Sequence, residues 1–210
     1  MTQPISDIAF TPSVKAMQGR LGSRKHYGQM EEGEGWSDTI TPELADFICE
    51  RDSFYFATAS AAGRPYIQHR GGPKGFLRVL DDGTLAFADF KGNRQYISLG
   101  NLAENNQAFL FLMDYVTQTR IKLWGTAEVI ADDPALLKQL TDSRYKGKSE
   151  RVIRFHVEAW DVNCRQHIPV KYSGEDLAGI VQPLRDRLVN LEAENAILKR
   201  RLTLAVNSPI

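Results

Sequence analysis

At 210 residues the chain is long enough for one well-buried domain with an appendage and too short for two large ones. Its 26 Lys and Arg balance 26 Asp and Glu, so no global field favours nucleic acid or an anionic membrane, and no apolar run approaches a membrane span or a signal peptide. The two cysteines, Cys49 and Cys164, lack metal or redox spacing, which fits reduced thiols in a soluble cytoplasmic protein better than a disulfide framework.

Residues 1–40 are mixed in character and read as an N-terminal arm, with a short helix from Pro12 to about Gln18 and a polar loop through Glu31-Glu32-Gly33-Glu34-Gly35. Thr41-Pro42-Glu43 is a helix start, with a hydroxyl cap, proline at the first helical position and an early carboxylate, and the helix should end near Arg51. Phe54 to Ala59 and Tyr66 to Arg70 are aromatic and β-branched runs either side of a Gly63-Arg64-Pro65 turn and read as an antiparallel pair. Phe76 to Leu80 and Thr84 to Ala88 flank Asp81-Asp82-Gly83, a hairpin signal. Ala108 to Met113 and Arg120 to Val129 form a second hairpin, Asp133-Pro134 opens another short helix, and Val152 to Trp160 returns to a strand rhythm. About seven strands with few helices predict a mainly β fold with peripheral helices, built on a closed or nearly closed antiparallel barrel over residues 41–172.

The concentrated chemical signal is Lys91-Gly92-Asn93-Arg94-Gln95, between the run ending at Ala88 and a helical pattern marked by Tyr96, Leu99 and Leu102. Gly92 lets backbone approach a ligand, Asn93 is a good N-cap, and Arg94 adds a planar cation to the free N–H groups of a helix start. This is a phosphate cradle in physical terms, although the same residues suit an ordinary capped helix with solvated cations. The four histidines, His26, His69, His156 and His167, show no ligand spacing, so no metal centre is expected. Cys164 would be a nucleophile only if Arg165 or His167 stabilised its thiolate, and an idle thiol is the plainer reading.

Residues 175–206 carry a heptad pattern: Leu177, Leu184, Leu191 and Leu198 fall at d, and Val181, Leu188, Asn195 and Leu202 at a. That pattern predicts a C-terminal coiled-coil helix, two-stranded and parallel, with folding back onto the barrel as the other possibility.

With the strands placed, the ordered segments Gly63-Arg64-Pro65-Tyr66, Gln68-His69-Arg70-Gly71-Gly72-Pro73, Gly92-Asn93-Arg94-Gln95, Asn105-Asn106 and Arg120 to Glu128 resemble the pyridoxamine 5′-phosphate oxidase-like flavin-binding family over roughly residues 45–165. The resemblance implies a six- to seven-stranded antiparallel split β-barrel that forms a homodimer with FMN at the subunit interface. Arg94 then stands for the arginine of the family's Gly-Ser-Arg-Lys phosphate motif, with Asn93 in place of the serine and Gln95 in place of the lysine. Ala88 and Asp89 occupy the positions of a Tyr-Thr pair, where a carboxylate would repel a phosphate. Arg70, Gly71 and Gly72 match the strand beside the flavin ring, and Arg120 replaces a glutamine near it, where a cation would stabilise negative charge on the ring.

Beyond Trp160 the chain departs from the oxidases, lacking their substrate segment, so the resemblance does not extend to pyridoxamine phosphate oxidation. Trp160, Asn163, Arg165 and His167 are candidates for contact with substrate or with the other subunit. The leading reading is an FMN-dependent oxidoreductase acting on a small molecule. A flavin- or haem-binding carrier or sensor without turnover, and a coiled-coil adaptor with a barrel head, stay open beside it.

Overall fold

The computed structural model describes residues 3–33, 35–163 and 165–206, and the chain divides into two compact units, Met1–Ile168 and Pro169–Ile210. In the first unit seven strands, β1 (Ser53–Ala59), β2 (Pro65–Gly71), β3 (Arg78–Asp81), β4 (Thr84–Phe90), β5 (Gln107–Asp114), β6 (Thr119–Ile130) and β7 (Ser149–Asn163), form one sheet. Its order is β2-β1-β5-β6-β7-β4-β3 and every pairing is antiparallel. The helices are α1 (Pro12–Leu21), α2 (Arg24–Glu32), α3 (Pro42–Cys49), α4 (Ile97–Glu104) and α5 (Pro134–Leu140), with α6 (Gly174–Val206) in the second unit. The fold is thus mainly β with peripheral helices. Among the described residues no helix is long and apolar enough to cross a membrane.

Period-two alternation builds the core. In β1 it buries Phe54, Phe56 and Thr58, in β5 Ala108, Leu110 and Leu112, and in β6 Ile121, Leu123 and Ala127. The sheet curls on itself, so the ring of Phe87 on β4 meets those of Phe54 at 5.1 Å and Phe56 at 5.8 Å, edge to face. The strands at its two ends, β2 and β3, stay unpaired with each other, which makes the barrel split. β4 is buried along both faces: Leu85 and Phe87 enter the barrel, while the small Ala86 and Ala88 pack outward with Leu140 of α5 and Val152.

One glycine is dictated by backbone approach. The β6–β7 register shifts between Trp124 and Gly125, and a Cβ at Gly125 would overlap the carbonyl oxygen of His156.

Two local expectations are corrected. Phe76 and Leu77 are buried core residues that precede β3 rather than belonging to it; left-handed Gly75 (φ +73°) brings them in, and its N–H bonds to the Arg51 carbonyl at 2.9 Å. Glu31 and Glu32 close the helix α2 rather than opening a loop. That helix carries an interior glycine and no side-chain cap, but Glu31 pairs with Arg24, and Arg24 Nη1 donates to Gln18 of α1 at 2.6 Å, so α1 supplies what local propensity does not.

The arm is fastened to the barrel. Trp36 stacks on Trp124 with centroids 4.5 Å apart, Lys122 lies over both rings, and Trp160 Nε1 donates to the Thr39 carbonyl at 2.9 Å. The Ile40 N–H reaches the Asp82 carbonyl in the β3–β4 turn at 2.6 Å.

Candidate functional site

Alternation along β2 sets Tyr66, Gln68 and Arg70 on one side, where they wall a cleft with Asp89 of β4, the segment from Gly92 to Leu99, and Glu150 of β7. The cleft holds about 50 Å³. Ser98, almost fully buried at the start of α4, donates from its hydroxyl to Gln68 Oε1 at 3.2 Å, and Asn101 Nδ2 donates to Thr58 Oγ1 at 3.0 Å, so α4 is pinned to β2 and β1.

The loop before α4 is shaped by two non-glycine residues in the left-handed region, Arg94 (φ +63°) and Tyr96 (φ +55°). Such residues carry backbone strain and concentrate at ligand sites. The expectation that Asn93 caps the helix is corrected: α4 starts at Ile97, Tyr96 occupies the N-cap position, and no side chain caps it. Asn93 Oδ1 instead accepts from the Gln95 N–H at 3.2 Å, and this short-range turn uses the side chain before the helix begins. The first helical bond runs from the Gly100 N–H to the Tyr96 carbonyl at 2.9 Å. The earlier N–H groups of Ile97, Ser98 and Leu99 therefore have no intrahelical acceptor, and all three residues line the cleft. Arg94 stands exposed beside them and enters no ion pair among the described residues.

The other wall is charged and compensated. Arg70 Nη1 lies 2.5 Å from Asp89 Oδ1, and its guanidinium faces the rings of Phe56 and Phe87 at 5.8 and 5.9 Å. Arg151 places Nε 3.8 Å from Asp89 Oδ2, bonds to Glu150 at 2.8 Å and sits over the Tyr96 ring at 5.6 Å. Asp89 is thus paired with one arginine and flanked by a second, so the repulsion a bare carboxylate would exert on an anion is damped. Arg70 lines the cleft, and its Nε is buried without a hydrogen-bond partner.

Arg70, Asn93, Arg94 and Gln95 are brought together by the fold. The remaining candidates lie outside this cleft. Gly72 gives its N–H to the Asp52 carbonyl at 2.9 Å, and a Cβ there would come within 2.6 Å of Phe76 Cγ, so its small size serves the packing of the core. Gly71 ends β2 opposite Ser53. Arg120, the second residue of β6, lies opposite Met113 and Asn163, with its Nε buried and unpartnered. Trp160 is tied to the arm, and Arg165 and left-handed His167 follow β7 as exposed residues. Cys164 and the side chain of Asn163 lie outside the described residues.

Tyr66, Gln68 and Ser98 line the cleft without being among the site residues expected from the sequence. Period-two spacing from Arg70 finds the first two and continuity with the loop finds Ser98, whereas Glu150 meets the cleft only through tertiary packing.

Next to the cleft, and sharing Leu99 and Glu150 with it, a groove of about 690 Å³ opens between α4 and the strands β6 and β7. Leu99, Leu102 and Val129 give it an apolar floor, and His156 Nε2 stands 3.6 Å from Glu128 at its rim. The carboxylates with displaced ionisation lie elsewhere. Arg144 beside Asp142 holds that group down at about 2, and hydrogen bonds from Gly83 and Thr84 lower Asp81. These groups order turns, and neither lines the cleft or the groove.

No curated protein matches the chain. Among solved structures it is similar to HupZ of Group A Streptococcus, at 22% identity over 63% of this chain and 99% of that one, TM-score 0.48. It is also similar to an FMN-binding protein of Syntrophomonas wolfei (14% identity, 70% of this chain and 97% of that one, TM-score 0.47). A third is HutZ, the haem storage protein of Vibrio cholerae (18% identity, 59% and 94%, TM-score 0.41). The model of the pyridoxamine 5′-phosphate oxidase family matches residues 40–164, the span that holds all seven strands and the α4 cleft. With more than half of its 210 residues inside that match, the chain belongs to the pyridoxamine 5′-phosphate oxidase family.

Proposed function

We propose that the chain binds FMN as a homodimer and works as an FMN-dependent oxidoreductase on a small molecule, with the phosphate held in the α4 cleft. The observation that carries this reading is the uncapped start of α4, whose free N–H groups share the cleft with Arg94. A helix start and a guanidinium together select an anion with several acceptor oxygens. Arg70 adds a cation on the facing wall. At about 50 Å³ the cleft is far below the roughly 300–1,000 Å³ of pockets that enclose whole ligands. It therefore suits the phosphate end, and a second copy of the chain would cover the rest.

Bound there, FMN supplies hydride and electron transfer. The chain's part is to anchor the phosphate through Arg94 and the start of α4, to fix Arg70 through Asp89, and to place Arg120 as a cation toward the ring. Trp160, Asn163, Arg165 and His167 are assigned to substrate or cross-dimer contact, and pyridoxamine phosphate is not the preferred substrate because the oxidases' substrate segment is missing after Trp160. A second reading, a flavin or haem carrier without turnover, is favoured by one observation: the two carboxylates lining the cleft, Asp89 and Glu150, are each paired with an arginine.

An absorption spectrum of the purified protein separates flavin from haem: flavin bands support FMN binding, and a Soret band overturns it; bleaching of those bands by a small hydride donor under anaerobic conditions then separates turnover from carriage. The flavin bands should survive anaerobic addition of pyridoxamine 5′-phosphate; rapid bleaching would restore the oxidase assignment. Arg94→Ala should weaken FMN binding about 10- to 150-fold, the equivalent of losing one charge-assisted contact of roughly 1.5–3 kcal/mol, and leave riboflavin affinity unchanged. Equal losses for both ligands would place Arg94 away from the phosphate.

A further inference from the structure

Helix α6 is 33 residues long, which corresponds to about 50 Å. Its apolar stripe is open to solvent: Leu177, Leu184, Leu188, Leu191, Leu198 and Leu202 are each between 45% and 67% exposed. A stripe of this kind along one helix marks a face that is completed by another surface. We infer that this surface is α6 of a second copy of the chain, and that the two helices form a parallel two-stranded coiled coil. The inference does not depend on flavin binding.

Three observations choose the occupant. The leucines alternate spacings of four and three, so with Leu184, Leu191 and Leu198 at d, Leu188, Asn195 and Leu202 fall at a, the seam of a left-handed pair. Pro183, the proline inside the helix, falls at c and leaves the seam clear. Second, the single polar residue in that seam is Asn195. In a parallel pair it meets the partner's Asn195 and the two amides bond to each other; in an antiparallel pair it would face the partner's Leu184 and lose its acceptor.

Third, the charges flanking the seam lack partners within their own helix. Arg187, Glu192, Glu194 and Lys199 have no opposite charge three or four residues away and enter no ion pair among the described residues. Across a parallel pair, Arg187 at g faces the partner's Glu192 at e, and Glu194 faces the partner's Lys199. An antiparallel pair would match Arg187 with the partner's Glu194 instead, so charge alone does not set direction. Asn195 does.

That difference makes the test decisive, because residues 194 and 199 are five apart and do not meet within one helix. In the full-length protein, Glu194→Lys and Lys199→Glu should each lower the midpoint of thermal unfolding followed by helical circular dichroism, and the double variant should recover it. A double variant as unstable as the two single losses combined, or recovery of Glu194→Lys by Arg187→Glu instead, overturns the parallel pair. Cross-linking gives a second readout that does not depend on those midpoints. Full-length protein carrying Cys49→Ser, Cys164→Ser and Leu198→Cys should form a disulfide-linked dimer on mild oxidation, whereas Asp186→Cys, at the outer f position, should not. A Leu198→Cys thiol that stays monomeric yet reacts with maleimide would overturn the proposal.

Discussion

Asp89 shows how a carboxylate comes to stand beside an anion site. It is nearly buried, and it is held between Arg70 at 2.5 Å and Arg151 at 3.8 Å. Its charge therefore fixes Arg70 against β4 and at the same time lowers the positive field in the cleft. Two opposed effects follow on removing that charge. Asp89→Asn should destabilise the protein by on the order of 3 kcal/mol, because two guanidinium groups lose their partner in a poorly solvated wall. It should also tighten FMN binding, since the cleft would carry one more unit of positive charge. Urea unfolding and an FMN titration measure the two separately. A variant that is less stable and also binds FMN more weakly would mean that Asp89 serves the ligand by orienting Arg70, an effect larger than its own repulsion.

The bulge opposite Gly125 is an element-scale device. Trp124 pairs with Ala159 and Gly125 with Val157, so the extra residue, Glu158, lies in β7, and there the His156 carbonyl comes up against Gly125. Any side chain there meets the His156 carbonyl, backbone that cannot rotate away. Gly125→Ala should cost at least about 3 kcal/mol, the upper part of the range for overpacking, and lower the urea midpoint; a loss under about 1 kcal/mol would show that the strand can shift.

Elements of this kind also show what was legible in the chain. Strands with alternating burial, such as Phe54-Phe56-Thr58 and Leu110-Leu112, were legible because one face pairs with one core. The starts of α3 and α5 were legible because Thr41 and Asp133 cap them by bonding the N–H groups of Leu44 and Leu136. The helix α2 was not, since its support comes from α1. The cap of α4 lies three residues beyond Asn93 for a different reason: Arg94 and Tyr96 take left-handed angles that their residue types do not advertise. The cleft was legible in its loop and in Arg70, and not in Glu150, which reaches it only when the sheet curls.

At the scale of the whole molecule the chain divides after Ile168, and the division predicts which properties travel together. Both apolar clusters are complete within the first unit: the larger spans Ile40 to Val157, including Trp160 at its margin, and the smaller joins Ala86 and Ala88 to Leu140 and Val152. The cleft residues, from Tyr66 to Glu150, lie there too. Among the described residues none of α6 belongs to either cluster or lines the cleft, while its own apolar stripe is exposed. A chain ended after Ser173 should therefore fold and keep the FMN affinity of the full-length protein, because every group assigned to the phosphate precedes that point. It should unfold at a lower temperature, since the pairing of two α6 helices adds stability that grows with protein concentration. Circular dichroism melts at several concentrations, run beside FMN titrations, check both halves. Loss of FMN binding on truncation would show that α6 completes the site. An unchanged midpoint with retained FMN binding would leave the site as assigned and remove the coiled coil, so the two readings can fail independently.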